Sequence, residues 1–106
     1  AGVAAATMAW LRSSPSASVR MSAVKALHFR PGAEVTRALD EHLGAEQDPQ
    51  VVRRAVVAMA SRAMTDPAAR GALETVMRYH SDPGARQLAE EMIAENERTL
   101  EAISQK

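Results

Sequence analysis

The stretch Asp48-Pro49-Gln50-Val51-Val52-Arg53-Arg54-Ala55-Val56-Val57-Ala58-Met59-Ala60 lies at the centre of a chain of 106 residues. Its first two residues are a helix start signal. A short carboxylate accepts hydrogen bonds from the free N–H groups of a first turn, and Pro at the next position has no N–H to leave unpaired and a suitable φ. From there Val52, Ala55, Val56, Met59 and Ala63 recur at spacings of three and four, which sets them on one face of a helix. A rotation of about 100° per residue sets Gln50, Arg53, Arg54, Val57 and Ser61 on the opposite face. The stretch thus predicts a helix with a small-residue apolar side and a basic outer side.

The start signal recurs outward in both directions, as Ser14-Pro15, Asp66-Pro67 and Asp82-Pro83. The interval from Ser14 to Asp48 equals that from Asp48 to Asp82, and a period of this size points to stacked supersecondary units. Aligning apolar cores instead sets Ala23-Val24-Lys25-Ala26-Leu27 on Ala55-Val56-Val57-Ala58-Met59 in a register slightly shorter than that period, so the first of these helices is expected to begin at Ser16 or Ser18. The segments between are helical as well. Val35, Leu39 and Leu43 form a stripe entered at Pro31 and left at Gly44 through a C-terminal cap, and Ala69, Leu73, Val76 and Met77 form another. Six helices are predicted, at about 3–12, 16–29, 33–43, 49–64, 67–80 and 83–104. They make three antiparallel hairpins, about 3–29, 33–64 and 67–104, in a single repeat domain over 1–106. The last helix carries the stripe Ala85, Ala89, Met92, Ile93, Leu100 and Ile103, and its length suits a helix that closes the end of an array.

Composition agrees with closely packed helices. Hydrophobic residues are 46% of the chain but Trp, Tyr and Phe occur once each, so the core is built of Ala, Val, Leu, Ile and Met. There is no Cys, which excludes disulfides and thiol chemistry and leaves the compartment open. No apolar run is long enough for a membrane span. The opening residues lack the basic start of a signal peptide, and Ala at position 1 suggests a processed product or a piece of a longer protein. Net charge is zero but uneven: residues 1–30 carry Arg12, Arg20, Lys25 and Arg30 with no acid, and the surplus of acid lies after residue 65.

The segments SPSASVRMSAVKAL, DPQVVRRAVVAMA and DPGARQLAEEMIA resemble the second helix of HEAT-like repeats, including the bacterial type also found in phycobilisome lyases. The resemblance covers nearly the whole chain. It implies a right-handed all-α solenoid whose second helices line a concave surface, and a role in binding proteins. It also implies that the Arg after the Val of each second helix pairs with an Asp of a neighbouring turn. Val19-Arg20 and Ala85-Arg86 match that pattern, with Asp48 and Asp82 as acceptors. Arg53 and Arg54 come one and two residues late and do not inherit this explanation.

Those two arginines, with Val57 and Ser61, and with Lys25 and Phe29 of the first unit, are the candidate partner-binding residues. The strip, with counterparts Met21, Ser22, Gln87, Leu88, Glu91 and Glu95, is either a solvated helix face or a contact surface, and its position alone favours the second. No catalytic, cofactor or metal site is expected. His28, His42 and His80 sit near helix C-termini, where an imidazole suits the last carbonyls. No phosphate loop or nucleophile elbow appears. Nucleic-acid binding is disfavoured by neutral charge and scarce aromatics. The expected function is a non-catalytic interaction scaffold or spacer that binds a protein partner or flanking domains. The alternatives are a lyase-like or chaperone-like subunit with an apolar ligand, and a weak DNA-binding domain.

Overall fold

The computed structural model describes residues 2–105 and contains six helices. These are α1 (Val3–Ser13), α2 (Ala17–His28), α3 (Ala33–Ala45), α4 (Pro49–Ala63), α5 (Pro67–Tyr79) and α6 (Pro83–Ser104). Consecutive helices pack as hairpins, and the hairpins stack so that α2, α4 and α6 lie side by side in one layer. The helices α1, α3 and α5 form the other layer. The result is an all-α solenoid about 18 Å across its thinnest axis and 44 Å along its longest.

The Asp-Pro signals do what their chemistry demands. Asp48 accepts from the N–H groups of Gln50 and Val51, Asp66 from Ala68, and Asp82 from Gly84 and Ala85, each with Pro opening the helix. Ser14-Pro15 does not. Ser14 ends α1, its hydroxyl accepts from the Ser16 N–H, and Ser16 is the cap of α2, accepting from Val19 at 3.3 Å. The caps of the second helices are therefore Ser16, Asp48 and Asp82, with the first interval slightly shorter than the second, which is the register the apolar cores indicated.

Two other boundaries differ from the sequence reading. Gly44 is not an exit: α3 runs through it to Ala45 and ends at Glu46 in an extended conformation, because Glu46 is held by α2 and by its own helix. The glycine that matters for chain reversal is Gly32, whose φ of 116° is strained for any side chain with a Cβ. Its carbonyl receives Arg62 Nη2 at 2.9 Å, tying the α2–α3 turn to the end of α4.

The core runs from Leu11 to Ala89 and is widest at α4, where Val51, Val52, Ala55, Val56, Ala58, Met59, Ala60 and Ala63 are all buried. The stripe read from periodicity covers one side of that helix. Val51, Ala58 and Ala60 are buried too because α4 is flanked by α2 and α6 in its own layer. At the far end the expected stripe of α6 is only partly used. Ala85 and Ala89 are buried and Met92 and Ile93 half-buried, but Leu100 and Ile103 are exposed.

Candidate functional site on the α2 and α4 ridges

The ladder between repeats decides which arginines are free. Arg20 reaches the α3–α4 turn, as a ladder residue should, but its acceptor is Glu46 rather than Asp48. Nε and Nη2 meet the two carboxylate oxygens at 2.8 and 3.0 Å, and Nη1 donates to the Ser14 carbonyl at 2.9 Å. Asp48 is occupied with its own helix start. Glu46 is buried, and it also accepts from His42 Nε2 at 2.6 Å and from the N–H groups of Gln47 and Asp48 at 3.0 Å each. Burial alone would push this carboxyl up. The hydrogen bonds from Arg20, from the Asp48 backbone and from His42 outweigh it and hold the group at about 2.

Arg53 is the second rung. Its Nε stands 3.5 Å from Asp82 Oδ2, in the turn of the next hairpin. The guanidinium lies against Gly84, where a Cβ would meet its Cζ at 2.8 Å. The sequence reading placed Arg53 outside the ladder because it sits one residue further from its cap than Arg20 does; the long side chain absorbs that shift. Asp82 is thus Arg53's partner and not Arg86's. Arg86 donates to the His80 carbonyl at 2.6 Å, the same six-residue backward reach that Arg20 makes to Ser14. The Arg53 pair is exposed at 46% and 24%, so Arg53→Met is expected to change unfolding free energy by no more than about 0.5 kcal/mol, measured in urea.

Arg54 points the other way, toward α2, where Nη1 donates to His28 Nδ1 at 2.8 Å. With Nδ1 accepting, the neutral ring carries its proton on Nε2. Burial, reinforced by the cations Arg54 and Arg62, lowers the His28 pKa and keeps the ring in that form. The Phe29 ring leans on it with centroids 4.3 Å apart. Phe29 ends α2 and is 83% exposed.

Phe29, Arg30 and Pro31 make one wall of a cleft of about 310 Å³, and Ser61, Arg62 and Thr65 make the other. Arg62 sets the walls: besides Gly32 it donates to the Arg30 carbonyl and, at 2.8 Å, to Thr36 Oγ1. Thr36 in turn donates to Asp66 at 2.8 Å, which with the helix-start N–H groups holds that carboxylate below its ordinary range. Asp66 lines the cleft as an ionised carboxylate against two cations, Arg30 and Arg62, so the lining keeps a small positive excess.

Of the six predicted contact residues, the structure brings Phe29 and Ser61 to one cleft and places Arg54 against His28 in its wall. Lys25 is exposed one turn before Phe29, and Val57 is half-buried between Arg54 and Ser61. Arg53 stands apart. Among the counterparts, Met21 and Leu88 pack onto the core instead of facing outward. Arg30 and Arg62 were missed. The signal for them is modest: Arg30-Pro31-Gly32 at a helix exit marks a turn, and Arg62 occupies the last turn of α4 where a base suits the helix end. Among the described residues no three His, Asp or Glu side chains converge as a metal site requires, and no helix is long and apolar enough to cross a membrane.

Comparison with curated proteins and with solved structures gave no match. A family model for HEAT repeats matches residues 4–94, from α1 to the middle of α6. Such repeats generally form non-enzymatic scaffolds and commonly mediate contacts between proteins. The capped helix pairs, their stacking into two layers and the arginine rungs between them agree with that match, and the chain belongs to the HEAT repeat family.

Proposed function

We propose that the protein is an interaction module that binds another protein along the ridges of α2 and α4, with Phe29 as the anchor. The observation that carries this reading is the Phe29 ring, 83% exposed in the wall of a cleft lined by the cations Arg30 and Arg62. An exposed ring costs solvation in the free protein and contributes most when a partner covers it, which is why aromatic and Arg side chains dominate contact energetics. Lys25, Arg30 and Arg54 around it favour a partner segment that is acidic and carries an apolar residue. Val57, half-buried, and Ser61, exposed, follow Arg54 along the same ridge of α4.

The test is a quantitative pull-down from the cell of origin with three baits: the wild type, Lys25→Glu/Phe29→Ser, and Arg12→Glu as a charge control away from the cleft. Both altered positions of the double variant are solvent-facing, so folding is expected to survive, as circular dichroism would check. Recovery of at least one protein should fall about tenfold or more with the double variant and stay level with the control, since an aromatic hot spot is worth about 2 kcal/mol or more. Equal recovery of every protein by all three baits would end the proposal.

A further inference from the structure

A contact in the joint between α2 and α4 depends on a proton. His28 is the last residue of α2, half-buried, and its Nδ1 accepts from Arg54 Nη1 at 2.8 Å across the two hairpins. A guanidinium has donors only, so the contact exists only while Nδ1 is unprotonated. With a proton on Nδ1, a donor faces a donor and two cations stand at hydrogen-bond distance. Among the described residues Arg54 makes no other side-chain hydrogen bond, and nothing else in the joint holds it there. The residues that follow it along the ridge, Val57 and Ser61, belong to the predicted contact strip.

The charges around the ring are of both signs. The helices packed along α2 are α1 and α4. From α4 come Arg54 and, in its last turn, Arg62. From α1 comes no charge at this end, because its charged residue, Arg12, lies in its last turn beside the start of α2. On the chain of the ring itself, Lys25 precedes it by one turn and Arg30 follows two residues on. Asp66 lines the same cleft and is engaged by Thr36 and the start of α5, while Glu34 opens α3 and is exposed. Burial and the cations Arg54 and Arg62 favour the neutral ring and set its pKa below the ordinary 6.5. The C-terminal end of the α2 dipole and the Phe29 face favour the charged ring, so the opposing effects leave the change of state within reach of mild acid.

We propose that His28 and Arg54 form a proton-driven latch on the contact strip: in mild acid the ring takes up a proton, Arg54 is released onto the α4 ridge, and the strip binds an acidic partner segment more tightly. This regulation rests on the reading of the strip as the partner-binding surface. Phe29 keeps its place in both states, since a charged imidazole suits the face of an aromatic ring. Linkage runs in both directions. A carboxylate that pairs with Arg54 draws it from His28 and makes protonation of the ring easier, so binding takes up a proton. Carboxylates of ordinary pKa stay ionised from 6.5 down to about pH 5, the window in which the latch works.

Two measurements on the full chain test it. In a nuclear magnetic resonance titration from about pH 8 to about pH 4.5, His28 should begin as the Nε2-protonated tautomer and titrate below 6.5, and the Arg54 Nε–H signal should lose order along the same curve. Arg54→Met should raise the His28 midpoint, and Arg53→Met, which removes a cation that faces Asp82 instead, should move it less. In His28→Asn, whose amide oxygen takes the place of Nδ1 as acceptor, Arg54 should stay ordered throughout, which keeps the test independent of how Arg54→Met folds. The binding probe is a short synthetic peptide with a central leucine flanked by aspartates, at constant ionic strength. Its affinity for the wild type should rise about threefold or more from about pH 7.5 to about pH 5.5, the scale of one added surface cation, and His28→Asn should show no such rise. A His28 midpoint equal in the wild type and Arg54→Met would overturn the latch whatever the peptide does. An equal gain of affinity in the wild type and His28→Asn would overturn it too. No binding of the peptide at either pH, by a wild type whose His28 titrates as expected, would instead overturn the contact surface and with it this regulation.

Discussion

Replacing Glu46 by Gln is expected to lower the unfolding free energy by about 3 kcal/mol, the range seen when one partner of a buried ion pair is removed. Glu46 is the point at which the first two hairpins are joined: its side chain is 1% exposed and takes Arg20 from α2, His42 from α3 and the two N–H groups that lead into α4. Gln can keep one or two of these contacts but cannot neutralise Arg20, whose side chain is itself only 18% exposed. Urea unfolding at neutral pH would measure the loss, and the midpoint of thermal unfolding should fall by more than about 10 °C for a chain this size. A change below about 1 kcal/mol would mean that Arg20 is held by Ser14 and solvent, and that the buried carboxylate is incidental.

The same carboxylate sets a pH signature. Its folded pKa, at about 2, lies below the ordinary 4.5, so its contribution is fully present above pH 4.5 and is lost as pH falls toward 2. The difference in stability between wild type and Glu46→Gln should therefore be largest near neutrality and shrink steadily between those two values. Other carboxylates titrate in the same window, Asp66 among them, but they do so in both proteins and cancel in the difference. A gap between the two proteins that stays constant from neutral pH down to the acid end of that window would show that Glu46 stabilises the fold by shape and not by charge.

Glu46 also shows where the sequence stops being informative. The helices were legible because each start has its own local chemistry: Asp48, Asp66 and Asp82 cap their helices from the position just before them, and Pro fixes the next turn. Register was legible through the apolar cores, which corrected the false start at Ser14-Pro15. Partnership was not, because it joins side chains of different hairpins, far apart in the chain and long enough to absorb a shift of one position. That is how Arg53 was separated from Asp82 and how Asp48 was given a role that Glu46 performs. A His at 42 followed by Glu at 46, one turn on, was the one available sign of a buried polar joint. The contact strip was half legible for the same reason. Its exposed members, Lys25, Phe29 and Ser61, follow from helix phase, while the basic walls of the cleft depend on where the α2–α3 turn meets the end of α4.

Periodicity alone assigns Leu39 and Leu100 to apolar stripes of equal standing, and the structure separates them sharply. Leu39 is 0% exposed, at the centre of α3 with hairpins on either side, and Leu73, its equivalent in α5, is also 0% exposed. Leu39→Ala removes three buried carbons from a site whose neighbours are fixed by two adjoining repeats and cannot collapse freely into the gap. The expected loss is about 3 kcal/mol, the sum of lost transfer energy and the cavity left behind. Leu100, 40% exposed, sits at the edge of a small cleft beside Ala63, Leu73 and Glu74 that solvent can fill, and Leu100→Ala should cost about 1 kcal/mol or less. Both variants can be measured in one urea series, and the denaturant slope is informative beside the midpoint. Because α4 packs against every hairpin, a gap beside it should destabilise the three repeats together, so Leu39→Ala should shift the midpoint with the slope unchanged. A reduced slope or a second transition would mean that the hairpins unfold separately and that the stacking of α2, α4 and α6 does not couple them.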